Sequence, residues 1–156
     1  MKVTQYSEGC GALISDIQLA DLSVTQLADL RTIFAKHGLL FFRDQDFSPQ
    51  DHLQFAQRFG SIVVNKFFKA TEQFPKIAEV RKEKEQQPNI GGGWHTDHSY
   101  DDIPAMGSIL VARKLPETGG DTQFANLANA YDALSPQIKS RIENLRAVHS
   151  NKHLYG

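Results

Sequence analysis

One short stretch, Gly93-Trp94-His95-Thr96-Asp97, is the most informative part of this 156-residue chain. The residues at 94–100 alternate in a way that is typical of a β-strand, and side chains two positions apart on a strand point to the same face. His95 and Asp97 should therefore converge on one point while Thr96 points away. An imidazole nitrogen and a carboxylate oxygen suit a borderline divalent metal ion, and one further ligand would complete a set of two histidines and one carboxylate. The bare pattern is weak by itself, because it also occurs by chance on exposed polar strand faces.

The residues on either side of this stretch add to the metal-site hypothesis. Three glycines, Gly91 to Gly93, come directly before it. About 25 residues later the chain reads Pro116-Glu117-Thr118-Gly119-Gly120-Asp121-Thr122, a turn that leads into a predicted strand. The hydroxyl of Thr122 is able to donate a hydrogen bond to a carboxylate. Taken alone, this second segment is more typical of an ordinary hairpin turn than of a binding site.

Taken together, the segments resemble the taurine and aryloxyalkanoate dioxygenase (TauD/TfdA) family. The resemblance is carried by the stretches at 38–45, 93–97, 104–110 and 115–122. These stretches follow the order and spacing of the family, and the resemblance covers nearly the whole chain. It implies an α+β fold, a cupin-like double-stranded β-helix (jelly roll) with flanking helices. The chain is similar to the N-terminal portion only, so 1–156 is expected to be a single domain that forms the N-terminal part of such a dioxygenase domain.

The resemblance also implies a function and a set of site residues. His95 and Asp97 correspond to iron ligands, and Thr122 corresponds to a contact with the carboxylate of 2-oxoglutarate. The expected protein is an Fe(II)- and 2-oxoglutarate-dependent dioxygenase that uses O2. It would hydroxylate a small organic acid, a sulfonate or a carboxylate, and release succinate and CO2. By the same resemblance, the substrate-binding positions fall at Asn65 and Phe68. Asn65 stands where a taurine-using relative carries a histidine, and Phe68 is equally expected to line a pocket or to fill the core.

Two groups that the family uses are not assignable in this chain, the third ligand (a distal histidine) and the arginine that clamps 2-oxoglutarate. His98 should face away from the metal side, and His149 and His153 follow the last helix, so none of the three is expected to replace the missing ligand. One alternative is therefore a truncated, catalytically inactive relative or a fragment. A His/Asp metallohydrolase is a further alternative, although hydrolases of that kind usually need more ligands or a positioned general base.

The rest of the secondary structure is predicted from periodicity and capping residues. Helices are expected from Ser23 or Thr25 to His37, from Ser48-Pro49 to Gly60, over 127–134, and from Ser135-Pro136 to about residue 145. Strands are expected at 39–42, 62–64, 77–80, 94–100, 107–113, 121–124 and 146–149.

Composition limits the classes of partner. The formal net charge is −1, from 17 basic and 18 acidic residues, so we expect no nucleic-acid partner. The apolar runs are too short to span a bilayer, and the first residues lack the apolar core of a signal peptide. A single cysteine, Cys10, excludes an internal disulfide and suits a reducing compartment, so we expect a cytoplasmic protein without a membrane partner. The full-length form is expected to be a homo-oligomer.

Overall fold

The structure is a computed structural model that describes residues 1–64, 68–87 and 91–150. Its regular elements fall into two groups along the chain. The first group comprises β1 (Lys2–Gln5), β2 (Ala12–Ser15), a 3-10 turn (Leu19–Asp21), α1 (Val24–His37), β3 (Leu40–Phe42) and α2 (Pro49–Phe59). The second group comprises α3 (Leu127–Asp132) and α4 (Pro136–Ile142).

The helices begin at the caps that the sequence predicts. Ser23 caps α1 and Ser48 caps α2, in each case through a capping box in which the residue three positions later bonds back to the cap. Helix α1 ends at Gly38, whose φ of 70° lies in the left-handed region that glycine adopts without strain. Ser135 caps α4 by accepting a hydrogen bond from the backbone N–H of Ile138, without the return bond of a capping box. The four predicted helices are confirmed, although α3 and α4 are a few residues shorter than predicted.

The three strands form one small mixed sheet in the order β1-β2-β3. Strand β1 pairs antiparallel with β2, and β2 pairs parallel with β3, with Ile14 opposite Phe42. The buried core lies between this sheet and helices α1 and α2, and all of its members come from the first 55 residues. They are Ala12, Ile14, Leu19, Leu22, Leu30, Phe47 and Phe55.

The segment at 107–113 crosses this core without forming a strand. Ile109 and Val111 pack against the buried cluster. The side chain of Arg113 donates a hydrogen bond to the carbonyl of Phe47, with 2.9 Å between nitrogen and oxygen. The segment is therefore attached to the N-terminal core, although it lies about 60 residues later in the sequence.

Six predicted strands are absent from the described residues, and those predictions were wrong. The segments at 62–64, 77–80, 94–100, 107–113, 121–124 and 146–149 are not strands, apart from one isolated bridge between Ala70 and Ala78. A strand exists only where a neighbouring backbone completes its hydrogen-bond ladder, and a period-two pattern does not supply that neighbour. The described residues thus show an α+β arrangement with a small sheet, and they do not form the double-stranded β-helix.

A candidate metal site at His95 and Asp97

The structure brings His95 and Asp97 together. Nε2 of His95 lies 3.3 Å from Oδ1 of Asp97, and the two side chains are 57% and 62% exposed. The convergence of the two side chains was predicted, but the predicted cause was wrong. Residues 94–96 have no regular structure and 97–100 form a turn, so a loop and not a strand places the pair. Their role as iron ligands stays a prediction.

A backbone carbonyl determines which nitrogen of His95 faces the carboxylate. Nδ1 of His95 lies 2.8 Å from the carbonyl oxygen of Gly93. A carbonyl oxygen only accepts hydrogen bonds, so Nδ1 is the protonated nitrogen and donates to it. In the neutral ring Nε2 then carries the lone pair, and it faces a carboxylate oxygen that is also an acceptor. Two acceptors at this distance need a proton or a cation between them.

The donor set fits a divalent metal ion. Two ligands bound at right angles at roughly 2.1 Å from one metal are separated by roughly 3.0 Å. The observed separation between His95 Nε2 and Asp97 Oδ1 is 3.3 Å. A metal-binding histidine usually donates a hydrogen bond from its other ring N–H, for example to a backbone carbonyl, and His95 has this arrangement.

Two further residues lie next to the pair, and neither was among the predicted site residues. Gly91 has a φ of +65°, and a Cβ atom added there would lie 3.1 Å from Cε1 of His95. Ser108 donates a hydrogen bond from its hydroxyl to Oδ2 of Asp97, at 3.1 Å. The glycine triplet was a visible signal for the first contact. The second contact joins residues 11 positions apart, and no local pattern predicts it.

The other histidines do not complete the set within the described residues. Nδ1 of His98 lies 3.2 Å from Oδ2 of Asp101, so the His98 side chain is engaged by another acidic residue. Nδ1 of His149 lies 2.8 Å from the hydroxyl of Ser99. His153 lies outside the described residues. Across 1–64, 68–87 and 91–150 no group of three or more His, Cys, Asp or Glu side chains is placed to hold a metal ion.

Three predicted site residues remain: Thr122, Phe68 and Asn65. Thr122 is exposed and lies in a segment without regular structure. Phe68 is half-buried. Asn65 lies outside the described residues, so its predicted contact with substrate stays a prediction.

Residues 2–156 match the family described as "Taurine catabolism dioxygenase TauD, TfdA family". The chain belongs to the TauD/TfdA family. The resemblance inferred from the sequence is therefore confirmed over nearly the whole chain.

Individual members of the TauD/TfdA family show how far the likeness extends. An (S)-phenoxypropionate/alpha-ketoglutarate-dioxygenase of Sphingobium herbicidovorans is 32% identical over 143 residues, which are 90% of this chain and 50% of that protein. An alkylsulfatase of Acinetobacter baylyi is 36% identical over 94% of this chain and 46% of its own length. The crystal structure of AAD-2 in complex with Mn(II) and N-oxalylglycine is 27% identical, with a TM-score of 0.67, and the match covers 93% of this chain and 50% of that one. This chain thus spans about half the length of the relatives that it matches.

The described residues include no helix that is both long enough and apolar enough to cross a bilayer.

Proposed function

We propose that this chain supplies two iron ligands, His95 and Asp97, to an Fe(II)- and 2-oxoglutarate-dependent dioxygenase. The observation that carries the proposal is the pair itself. An imidazole lone pair and a carboxylate oxygen lie 3.3 Å apart, while the other ring nitrogen of His95 is occupied by a carbonyl. Membership of the TauD/TfdA family supports iron and 2-oxoglutarate as the groups that this donor set serves.

The residues of this chain would hold and orient the reacting groups. When bound, iron, 2-oxoglutarate and O2 supply the oxidising chemistry, and succinate and CO2 are its products. Gly93 fixes the tautomer of His95, which keeps Nε2 available for the metal. The hydroxyl of Thr122 is proposed to contact a 2-oxoglutarate carboxylate.

A complete site needs more than the described residues provide. A facial set has three protein ligands, and two are found here. We propose that the third ligand and the group that clamps 2-oxoglutarate lie in a polypeptide with the length of the relatives. The same polypeptide would complete the jelly roll.

The proposed substrate is a small anionic organic molecule. The names of the relatives include a phenoxypropionate dioxygenase and an alkylsulfatase, which support a carboxylate or a sulfur-containing acid. Asn65 and Phe68 are proposed to contact it. A cytoplasmic location and a homo-oligomeric full-length form stay predictions.

Metal binding by the 156-residue chain tests the first half of the proposal. Mn(II) should bind weakly, because only two protein ligands are present, and both His95→Ala and Asp97→Ala should abolish this binding. His98→Ala is the matched control, since His98 is paired with Asp101, and it should bind Mn(II) as the unchanged chain does. Binding that survives both ligand substitutions would show that the metal site lies elsewhere.

Succinate release tests the second half and separates the proposal from an inactive relative. The absence of a third ligand in the described residues favours negligible turnover by the isolated chain. If the gene encodes a longer polypeptide, that polypeptide should release succinate with Fe(II), 2-oxoglutarate and a panel of small sulfonates, alkylsulfates and carboxylates. Asp97→Ala should remove the activity. A longer polypeptide that binds Fe(II) and 2-oxoglutarate but releases no succinate with any panel member would favour the inactive relative.

A further inference from the structure

The segment that carries Ser108 is held to the N-terminal core by two hydrogen bonds, at Ile109 and at Arg113. On helix α2, Nε2 of His52 lies 3.2 Å from the carbonyl oxygen of Ile109, and it donates because a carbonyl only accepts. A few residues later, Arg113 donates to the carbonyl of Phe47 at 2.9 Å. Both core partners, His52 and Phe47, belong to or directly precede helix α2. The backbone next to Ser108 therefore has a fixed position relative to that helix.

Packing fixes the orientation of the same segment. Ile109 and Val111 pack against the core cluster, whereas Leu110 is 71% exposed. A Cβ atom added at Gly107 would lie 3.3 Å from Cζ of Phe34, so the backbone there passes close to helix α1. With Ile109 turned towards the core, Ser108 is exposed on the other side, where its hydroxyl reaches Asp97.

The two carboxylate oxygens of Asp97 have different neighbours. Oδ2 accepts the hydrogen bond from Ser108, and Oδ1 faces Nε2 of His95. A hydrogen bond to an ionised acceptor is stronger than one between neutral groups. Occupying Oδ2 in this way limits rotation of the carboxylate and leaves Oδ1 for a metal.

We propose that Ser108 is a positioning residue that holds Asp97 in the orientation in which Oδ1 binds the metal. This inference rests on the proposed metal site at His95 and Asp97. Ser108 touches neither metal nor substrate, and it transmits the rigidity of the core, through the Ile109 segment, to a ligand on an exposed loop. A residue that orients a ligand in this manner changes metal affinity by about 10- to 100-fold when it is removed.

Three variants separate orientation from general stability. Ser108→Ala removes the hydroxyl, and Ser108→Thr keeps it. The control, Ser99→Ala, removes a hydroxyl from the turn that contains Asp97; that hydroxyl contacts Thr96 and His149 and not Asp97. Mn(II) binding is followed by the fluorescence of Trp94, the single tryptophan, which adjoins His95. We expect Ser108→Ala to weaken Mn(II) binding about tenfold or more, Ser108→Thr to restore it, and Ser99→Ala to leave it unchanged. Circular dichroism checks that every variant is folded.

A second measurement does not need the metal. In the metal-free chain, Ser108→Ala should shift the side-chain carboxyl carbon resonance of Asp97 and leave that of Asp101 in place, because Asp101 is paired with His98. If the unchanged chain binds no Mn(II), the proposed function fails, and the carbon resonance alone then decides whether Ser108 orients Asp97. The inference is overturned if Ser108→Ala binds Mn(II) as tightly as the unchanged chain. An unmoved Asp97 resonance overturns it as well.

Discussion

Replacement of His52 by alanine should loosen the attachment between helix α2 and the segment at 107–113. The imidazole donates to the carbonyl of Ile109 at 3.2 Å, and its ring lies 5.9 Å from the ring of the buried Phe47, measured between centroids. Both contacts disappear in His52→Ala. The carbonyl oxygen of Ile109 then loses the hydrogen bond from His52 and is left to accept one from water.

The size of the effect follows from these two contacts. A hydrogen bond of this kind contributes about 1 kcal/mol net, and a ring pair about 0.5–1.5 kcal/mol. Alanine is the better helix former by about 0.5 kcal/mol, which offsets part of the loss. The free energy of unfolding should therefore fall by about 1–2 kcal/mol. His52→Gln keeps an N–H donor and should lose less than His52→Ala.

The same residue makes stability depend on pH. Burial lowers the pKa of His52 below its ordinary value of 6.5, the nearby charge of Arg113 acts in the same direction, and the Ile109 carbonyl opposes both. The unfolded chain therefore takes up a proton at this position before the folded chain does. The contribution of neutral His52 is fully present above pH 6.5 and is lost as the pH falls below it.

Urea unfolding of the chain and of both variants, at pH 7.5 and at pH 5.5, is the assay. The difference in the free energy of unfolding between the unchanged chain and His52→Gln should be larger at pH 7.5, because glutamine does not titrate. The other five histidines titrate in both proteins and cancel in the difference. A difference that grows on acidification would refute the argument from burial, and a His52→Ala variant as stable as the unchanged chain would refute the argument from contacts.

Two further substitutions test local features of the chain. Gly91→Ala should weaken Mn(II) binding about tenfold, because the new Cβ would lie 3.1 Å from Cε1 of His95 and φ at Gly91 is +65°. The binding is measured by titration with Trp94 fluorescence. The control is Gly60→Ala, since a Cβ at that position would have nothing within 4 Å. Ser48→Ala removes the cap of helix α2 and should lower the free energy of unfolding in urea by about 1 kcal/mol. Hydrogen bonds from Ser48 lower the pKa of Asp51, so the share of the stabilisation that comes from the ionised Asp51 carboxylate is fully present above pH 3.8 and is lost as the pH falls through the lowered pKa.

The helices were predictable because their signals are local. Ser23, Ser48 and Ser135 each act on backbone groups within three residues, and Gly38 ends α1 by its own φ. The strand predictions at 107–113 and 121–124 were wrong because their signal is incomplete. Alternation indicates which faces a segment offers, and pairing depends on a neighbour that the period-two pattern does not specify.

In the candidate site, too, the local feature was predictable from the sequence and the contact that depends on packing was not. His95 and Asp97 were identified by their spacing and by the family resemblance, and a two-residue separation is short enough for a loop to bring them together. The contact from Ser108 was not identified, because it depends on where Ile109 packs. The position of Ile109 depends on the side chains of the whole core, so the sequence around Ser108 does not predict the contact with Asp97.

The exposure of His95 and Asp97 shows that the described residues do not shield the pair from water. Oxidation of a substrate carbon requires a site shielded from water, yet His95 and Asp97 are more than half exposed. Several large apolar side chains of the same half of the chain are exposed as well, including Trp94, Ile103 and Val148, at 72%, 87% and 93%. Exposed apolar side chains of this size are often covered by another polypeptide segment. In the proposed longer polypeptide, a segment that supplied the third ligand and also packed over His95 and Asp97 would complete the metal set and exclude water from it.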